Sequence, residues 1–308
     1  MSKRVAVWSS SLIILFSSLF YFFSGSDLLT VKDDMQSEDN SKHFKILGIS
    51  TESLLYKAER DIKIAIVDSG INKSHPDLNL YSGNSINFVD ENMSIKDDFN
   101  HGTAVAGIIS AQNNDFGIVG VANKSEIFDL KVLNNEGKGE VKDLINALEW
   151  CIENQIDIIN ISFGFQSSNE ELHKVIKKAY ERNIVIVASA GNTYGLGVDY
   201  PARYNEVISV NSINENNQLL NSSAYGKIDF VAPGLNILST DNQGDYSYFT
   251  GTSFSSAYVT GIIANLMSRN LISSENVMAD LKRHTQDIYE LDYDNYSGFG
   301  ILKLEKNN

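Results

Sequence analysis

Four residues far apart in the chain, Asp68, His101, Asn192 and Ser253, carry the groups that acyl transfer to a serine requires. Ser253 sits in Phe249-Thr250-Gly251-Thr252-Ser253, a glycine turn ahead of a small, apolar helical run. The turn would expose the hydroxyl, and the helix N-terminus would favour negative charge developing beside it. Taken alone, Thr252-Ser253 reads as a helix N-cap. His101, in Asn100-His101-Gly102-Thr103, opens a second small-residue helix and has the side chain suited to proton transfer near neutrality. Asp68 ends the apolar run Ile64-Ala65-Ile66-Val67, where a carboxylate would stand at the rim of a dry core. Asn192 follows Ser189-Ala190-Gly191 and could donate its amide to an oxyanion. Each position has a plain structural alternative as a cap or turn residue. The four together supply orienting carboxylate, base, oxyanion donor and nucleophile. The other histidines fit less well: His43 lies in a polar segment, His75 in a His-Pro-Asp turn, His173 on a polar helix and His284 at a helix end.

These residues must be held by alternating elements. Ile/Val runs predict strands at 62–67, 127–132, 157–161, 184–188 and 207–210. Periodic stretches predict helices at 102–112, 141–154, 169–182, 252–269 and 274–284, with a short helical run over 51–59. Continuously apolar strands between helices imply a mostly parallel sheet covered on both faces. No internal repeat or linker interrupts residues 45–304, which read as one α/β domain.

The 308 residues are 43% hydrophobic and 21% charged, a globular composition. The net charge of −14 argues against nucleic acid as a partner and favours cationic segments. The single cysteine, Cys151, excludes an intrachain disulfide and lies on the apolar stripe Leu144, Ala147, Leu148, Cys151, Ile152, so it reads as core. No Cys/His cluster suggests zinc. Residues 1–26 combine Lys3 and Arg4 with an apolar run, Val5 to Phe23, and a small-residue site, Ser24-Gly25-Ser26. They read as a secretory signal or, uncleaved, as a membrane anchor through residues 5–23. Cleavage would remove two positive charges and take the net charge to −16. Residues 27–44 are polar and acidic and read as a spacer or short pro-segment.

The motifs Ala65-Ile66-Val67-Asp68-Ser69-Gly70-Ile71, His101-Gly102-Thr103-Ala104-Val105-Ala106-Gly107, Ala190-Gly191-Asn192 and Gly251-Thr252-Ser253 resemble those of the subtilisin family (subtilases) of serine proteases. The resemblance covers about residues 45–304. It implies a subtilisin-like three-layer αβα fold with a mostly parallel central sheet. It also implies Ser253 as nucleophile, His101 as base, Asp68 as its orienter, and Asn192 with the Ser253 N–H as oxyanion hole. For subtilisin, loss of the equivalent asparagine costs on the order of 10²–10³ in kcat.

The same resemblance implies substrate-binding edges at Ser162, Phe163 and Gly164 and at Gly137 and Gly139, pairing an extended peptide by strand addition, with Val141 walling the S4 subsite. Aligned on Tyr200-Pro201, where the family usually has a cis bond, Asp199 falls at the bottom of the S1 pocket. A carboxylate there would pair with Arg or Lys at P1. The stretch 112–120 resembles the family's calcium loop, implying structural Ca²⁺ held by Asp77, Asn114 and the carbonyls of Gln112, Phe116 and Ile118. Three departures stand out: Ala104 where many members have His, Ala257-Tyr258 in place of Pro-His, and Phe165 in place of Gly at the binding edge.

Only about 40 residues separate the apolar run from Ile62, leaving no room for a large folding prodomain. With a basic-P1 pocket, this resembles dedicated maturation proteases such as lantibiotic leader peptidases. The expectation is therefore a monomeric serine endopeptidase, secreted or anchored on the outer face of the cytoplasmic membrane, cutting a peptide or precursor protein after Arg or Lys. A broad degradative protease and a non-catalytic binding protein on the same scaffold are the alternatives.

Overall fold

The computed structural model describes residues 41–78, 85–90, 92–289 and 292–305. The predicted signal segment and residues 27–40 of the spacer lie outside them. Residues 41–47, α1, are helical, so residues 41–44 of the expected spacer join the folded unit. Their polarity hides His43, which is buried with its ring 6.3 Å from that of Tyr258. Next comes α2 (Thr51–Leu54), opened by a capping box in which Ser50 and Ser53 satisfy each other's backbone N–H. It ends five residues short of the predicted Glu59. The chain instead turns so that the N–H groups of Glu59 and Arg60 reach the Ser268 carbonyl, at 2.8 and 3.2 Å.

The sheet has nine strands: β1 (Lys63–Asp68), β2 (Ser85–Asn87), β3 (Glu126–Lys131), β4 (Ile158–Ile161), β5 (Val185–Ser189), β6 (Ile208–Ile213), β7 (Phe230–Pro233), β10 (Thr285–Gln286) and β11 (Ile301–Leu302). Their spatial order is β10-β11-β7-β6-β5-β4-β1-β3-β2. Every pairing is parallel except β10 with β11. The five predicted strands are contiguous within the sheet, four of them within one residue of their expected ends and β6 running three residues further. The strands that sequence reading missed are short or lie toward one edge. A separate antiparallel hairpin, β8 (Ile237–Thr240) with β9 (Tyr246–Phe249), also escaped it.

Helices α3 (Gly102–Ser110) and α6 (Thr252–Ser268) pack on each other, with α6 laid across β4 to β7. Helices α4 (Val141–Glu153) and α5 (Glu170–Tyr180) form the opposing layer, and α7 (Val277–Lys282) is shorter than predicted. The buried residues of α4 are Leu144, Ala147, Leu148, Cys151 and Ile152, an i, i+3, i+4, i+7, i+8 stripe. Burial raises the Cys151 thiol well above its ordinary range, as expected of core. By contrast, α6 is buried on every side. Its polar side chains are therefore satisfied internally: Asn265 Nδ2 donates to the Ser53 and Val121 carbonyls, and Thr260 Oγ1 accepts from Asn160. The helix runs unbroken through Ala257 and Tyr258, both buried, so the missing Pro-His leaves its backbone regular.

The chain crosses from one side of β1 to the other, with β3 and β2 beyond it one way and β4 to β7 the other. Ligand crevices in such sheets open at the carboxyl ends of strands where the order reverses. Asp68 is the last residue of β1.

Where α3 crosses β8, small size is a packing requirement. A Cβ on Gly107 would lie 2.3 Å from Thr240 Oγ1 and 2.5 Å from Ser239 Oγ. Neither hydroxyl can yield easily, because Ser239 donates to the Ala104 carbonyl at 2.6 Å and Thr240 to that of Thr103 at 2.7 Å. Gly107→Ala should therefore destabilise the fold by about 1–3 kcal/mol despite alanine's better helix propensity. Denaturant unfolding measures this, and unchanged or increased stability would show that the contact relaxes.

Candidate active site

The β1 terminus and the α3 start are joined by one short contact. Asp68 Oδ1 accepts from His101 Nδ1 at 2.7 Å, and the same oxygen takes the Ser69 N–H at 2.7 Å. Asp68 is 1% exposed, and its Oδ2 meets no donor among the described residues. The negative charge is thus turned on the imidazole with little solvent between them. Burial alone would depress the histidine. The charge and hydrogen bond of Asp68, with the charge of Asp97, outweigh it and hold the imidazole above its ordinary range. With Nδ1 committed to the carboxylate, Nε2 is the nitrogen left to act as base.

Asp97 was missed in the sequence, although it stands four residues before His101. It is 6% exposed and serves as the centre of the turn. Its Oδ1 accepts from Ser69 Oγ and from the N–H groups of Phe99, Asn100 and His101, while Oδ2 accepts from the Thr103 N–H and hydroxyl. The Ser69 hydroxyl in turn receives the Gly102 N–H at 2.9 Å. The turn after Asp68 is also held from β3. Lys131 Nζ donates to the Ser69 and Lys96 carbonyls, and Asp129 accepts the Ile71 N–H at 3.3 Å. Burial pushes the Asp129 carboxyl up to about 7, partly offset by Lys73.

Ser253 is the second residue of α6, reached through the β8–β9 hairpin. Its hydroxyl donates to the Ser162 carbonyl at 2.8 Å. The Phe254 ring lies 5.4 Å from the His101 ring, which sets the start of α6 against the histidine. As a first-turn residue, Ser253 has no intrahelical acceptor for its N–H. Beside it, Asn192 is exposed, and its Oδ1 accepts the Thr252 N–H at 3.3 Å, which leaves Nδ2 free to donate. Gly251 is required here on two counts. Its φ is +149°, and a Cβ would stand 3.2 Å from Asn192 Nδ2.

The expected binding edges are adjacent. Gly139 pairs with Leu133, and a Cβ on it would lie 3.6 Å from the Phe163 ring. Gly137 turns tightly under the Phe99 ring, and Val141 follows at the start of α4. Ser162 is buried, its hydroxyl tied to Asn160, Ser256 and the Ser253 carbonyl, while Gly164 is exposed. Phe165 exchanges both backbone hydrogen bonds with Tyr200, at 2.7 and 2.8 Å, and its ring packs edge-on to Phe163.

Asp199 lies between two glycines. A Cβ on Gly164 would meet its Cβ at 2.7 Å, and one on Gly191 would meet its Oδ2 at 2.4 Å. Burial raises this carboxyl, no cation among the described residues offsets it, and Arg203 is placed over the Tyr200 ring at 5.6 Å. The Tyr200-Pro201 bond is cis.

At the expected calcium loop, Asp77 is fully buried. Its carboxylate accepts from Asn114 Nδ2, the Ile118 N–H and Tyr246 Oη, at 3.0, 2.9 and 3.1 Å. The Gln112 N–H donates to the Asp77 carbonyl, and the Phe116 N–H to Asn114 Oδ1. Burial raises the Asp77 carboxyl. Gly117 closes the loop so tightly that a Cβ would sit 2.4 Å from Asp77 Oδ2. In this arrangement the groups that face the carboxylate are two N–H donors and a phenol hydroxyl that donates to it, and Asn114 Oδ1 is turned to the Phe116 N–H. No cluster of three or more His, Cys, Asp or Glu able to hold a metal occurs among the described residues. Nor is any described helix long and apolar enough to cross a membrane, and residues 5–23 are not among them.

Comparison with known proteins agrees with this geometry. The subtilase family profile matches residues 59–300. The chain is 41% identical to a subtilisin of Bacillus pumilus over 251 residues, 80% of this chain and 90% of that one. It is 34% identical to the minor extracellular protease Epr of Bacillus subtilis, covering 91% of this chain but 44% of Epr. To subtilisin E of the same species it is 41% identical, covering 68% of this chain and 56% of that one. The chain thus spans about half the length of several curated relatives and nearly all of another. With a family match across most of its length, the chain belongs to the subtilase family of serine endopeptidases.

Proposed function

We propose that this chain hydrolyses peptide bonds through an acyl-enzyme on Ser253. The observation that carries the reading is the 2.7 Å Asp68–His101 bond set against the start of α6. As substrate enters, rotation about the Ser253 side chain exchanges the Ser162 carbonyl for His101 Nε2, which takes the hydroxyl proton as Oγ attacks the scissile carbonyl. The oxyanion forms beside Asn192 Nδ2 and the Ser253 N–H. His101 then returns its proton to the leaving amine, and water attacks the acyl-enzyme by the same route. Asp68 fixes the imidazole tautomer and stabilises the imidazolium. The edges at Gly137–Gly139 and Ser162–Gly164 hold the peptide extended, with Val141 beside the S4 position.

The partly buried, uncompensated carboxylate of Asp199 supports cleavage after Arg or Lys. A defined basic site, with the apolar segment behind Lys3 and Arg4, supports an exported maturation protease, such as one removing the leader of a lantibiotic precursor. Structural Ca²⁺ would be held by Asp77, Asn114 and the carbonyls of Gln112, Phe116 and Ile118, and would neutralise a buried charge.

Peptide amides differing only at P1 test the substrate reading. Arg should exceed Phe in kcat/KM by roughly tenfold or more. Asp199→Ser should erase that preference, and Ser253→Ala should abolish both activities. Equal rates in the parent would remove the role of Asp199, whereas a folded parent that cleaves neither amide would remove the catalytic reading. The pH profile tests the histidine. Activity needs the neutral imidazole, so kcat/KM should fall as pH drops through a midpoint above the ordinary value of about 6.5. Asp97→Asn removes a negative charge that favours the imidazolium, so its acid limb should move to lower pH. Thermal melts test the metal. Chelation should lower Tm by several degrees, calcium should restore it, and Asp77→Asn should be insensitive to both. A parent unaffected by chelator would remove calcium from the account.

A further inference from the structure

Four of the seven exposed tyrosines among the described residues share one groove. Tyr225, Tyr289, Tyr293 and Tyr296, each 40–52% exposed, line a groove of about 570 Å³ with Leu219 and Asp294. Single exposed aromatics need no explanation, but four in one groove form a patch of the kind used for recognition. The rings are held in place. Tyr225 and Tyr296 are 4.8 Å apart, Tyr289 Oη accepts the Leu219 N–H at 3.2 Å, and Tyr225 Oη accepts from Asn295 Nδ2 at 3.3 Å. Little ordering would be lost when a ligand binds.

The groove is linked to the loop that follows Asn192. The Tyr225 N–H donates to the Leu196 carbonyl at 2.8 Å, and the N–H groups of Tyr194 and Gly195 donate to the Ser222 and Ser223 carbonyls. Tyr194 and Leu196, on the loop that begins just after Asn192, are themselves highly exposed. The loop after Asn192 is therefore tied by backbone hydrogen bonds to the segment that carries Tyr225.

The charge around the groove is negative. Asp287 and Asp292 are exposed, with Asp287 accepting the Tyr289 and Asp292 N–H groups, and Asp294 lines the groove as a largely buried residue whose carboxylate accepts from the Tyr296 and Ser297 N–H groups and the Ser297 hydroxyl. Burial first, then the charges of Asp229 and Asp294, raise the Tyr293 hydroxyl. Nearby cations are engaged: Lys227 pairs with Asp229, and Lys282 lies 4.1 Å from the Phe299 ring, which packs on Tyr293. That last contact is a lysine on an aromatic face within the same cluster.

We propose that this groove is an exosite for a lysine- or arginine-bearing stretch of the peptide substrate, outside the cleft where the bond is cut. Aromatic faces and carboxylates at one site favour ammonium and guanidinium groups and disfavour acidic peptides. The proposal rests on the endopeptidase reading above and is independent of the P1 assignment.

The test uses peptides sharing one scissile sequence: a short form, forms with a Lys-rich tail on either side, and matching forms with Ser-rich or Glu-rich tails. One Lys-tailed form should show a KM roughly tenfold below that of the short peptide, with kcat unchanged. The advantage should shrink as salt rises. The Tyr289→Ala, Tyr296→Ala double variant should lose it while cleaving the short peptide normally. Should that variant fail to fold, the salt series and tail comparison in the parent still decide. Binding of the tailed peptides to Ser253→Ala reads the groove even if nothing is cleaved. Equal KM for all tails, or an equal gain from Ser or Glu tails, would overturn the proposal. So would retention on insoluble cell-wall polysaccharide without any Lys-tail effect, which would assign the groove to a glycan.

Discussion

The bond between Asp68 and His101 joins the end of the first sheet strand to the start of the first long helix, and much of the surrounding structure serves to hold it. A buried carboxylate facing an imidazole is stable only if its neighbours are fixed, because each lost donor in a dry site costs more than it would in water. That requirement accounts for the density of contacts nearby. Asp97 collects the N–H groups of the turn that carries His101, Ser69 ties that turn to β1, and Lys131 and Asp129 hold the segment after Asp68 from β3. These residues need not touch a substrate. In the proposed chemistry they position the groups that do.

The nucleophile side is built by a different device. The helix α6 is buried around its whole circumference, so its position is set by packing against four strands and α3. Small residues allow that approach, and its hydroxyl and amide side chains are satisfied by neighbouring backbone. A helix fixed this way can hold Ser253 and the first-turn N–H groups in place while Asn192, from a different strand end, is set beside them by the Thr252 N–H. Two rigid assemblies, one around Asp68 and His101 and one around α6, thus face each other across the sheet's carboxyl edge.

Much of this was legible in sequence because it depends on local signals. Ile64 to Val67 reads as a buried strand, and the stripe from Leu144 to Ile152 reads as one helix face. Gly251-Thr252-Ser253 reads as a turn into a helix, and each of these stretches has that form. Where reading failed, a distant partner had decided the outcome. The helix at Thr51 stops early because Glu59 and Arg60 reach Ser268. The hairpin β8–β9, with little apolar alternation in Tyr246–Phe249, is held by pairing and by its place before α6. Residues 41–44 looked like spacer because the surface that covers His43 lies more than two hundred residues away.

The sequence by itself determined the α/β alternation, the central strands and the four candidate residues, because periodicity, glycine turns and residue chemistry are properties of short segments. Only the tertiary structure decided which acidic residue sustains the histidine turn, that Asp199 lies uncompensated between Gly164 and Gly191, and that four tyrosines gather in one groove. In each case the controlling quantity is burial or distance between segments remote in the chain. A carboxylate or a phenol carries no local mark of the field and the neighbours it will meet once the chain has folded.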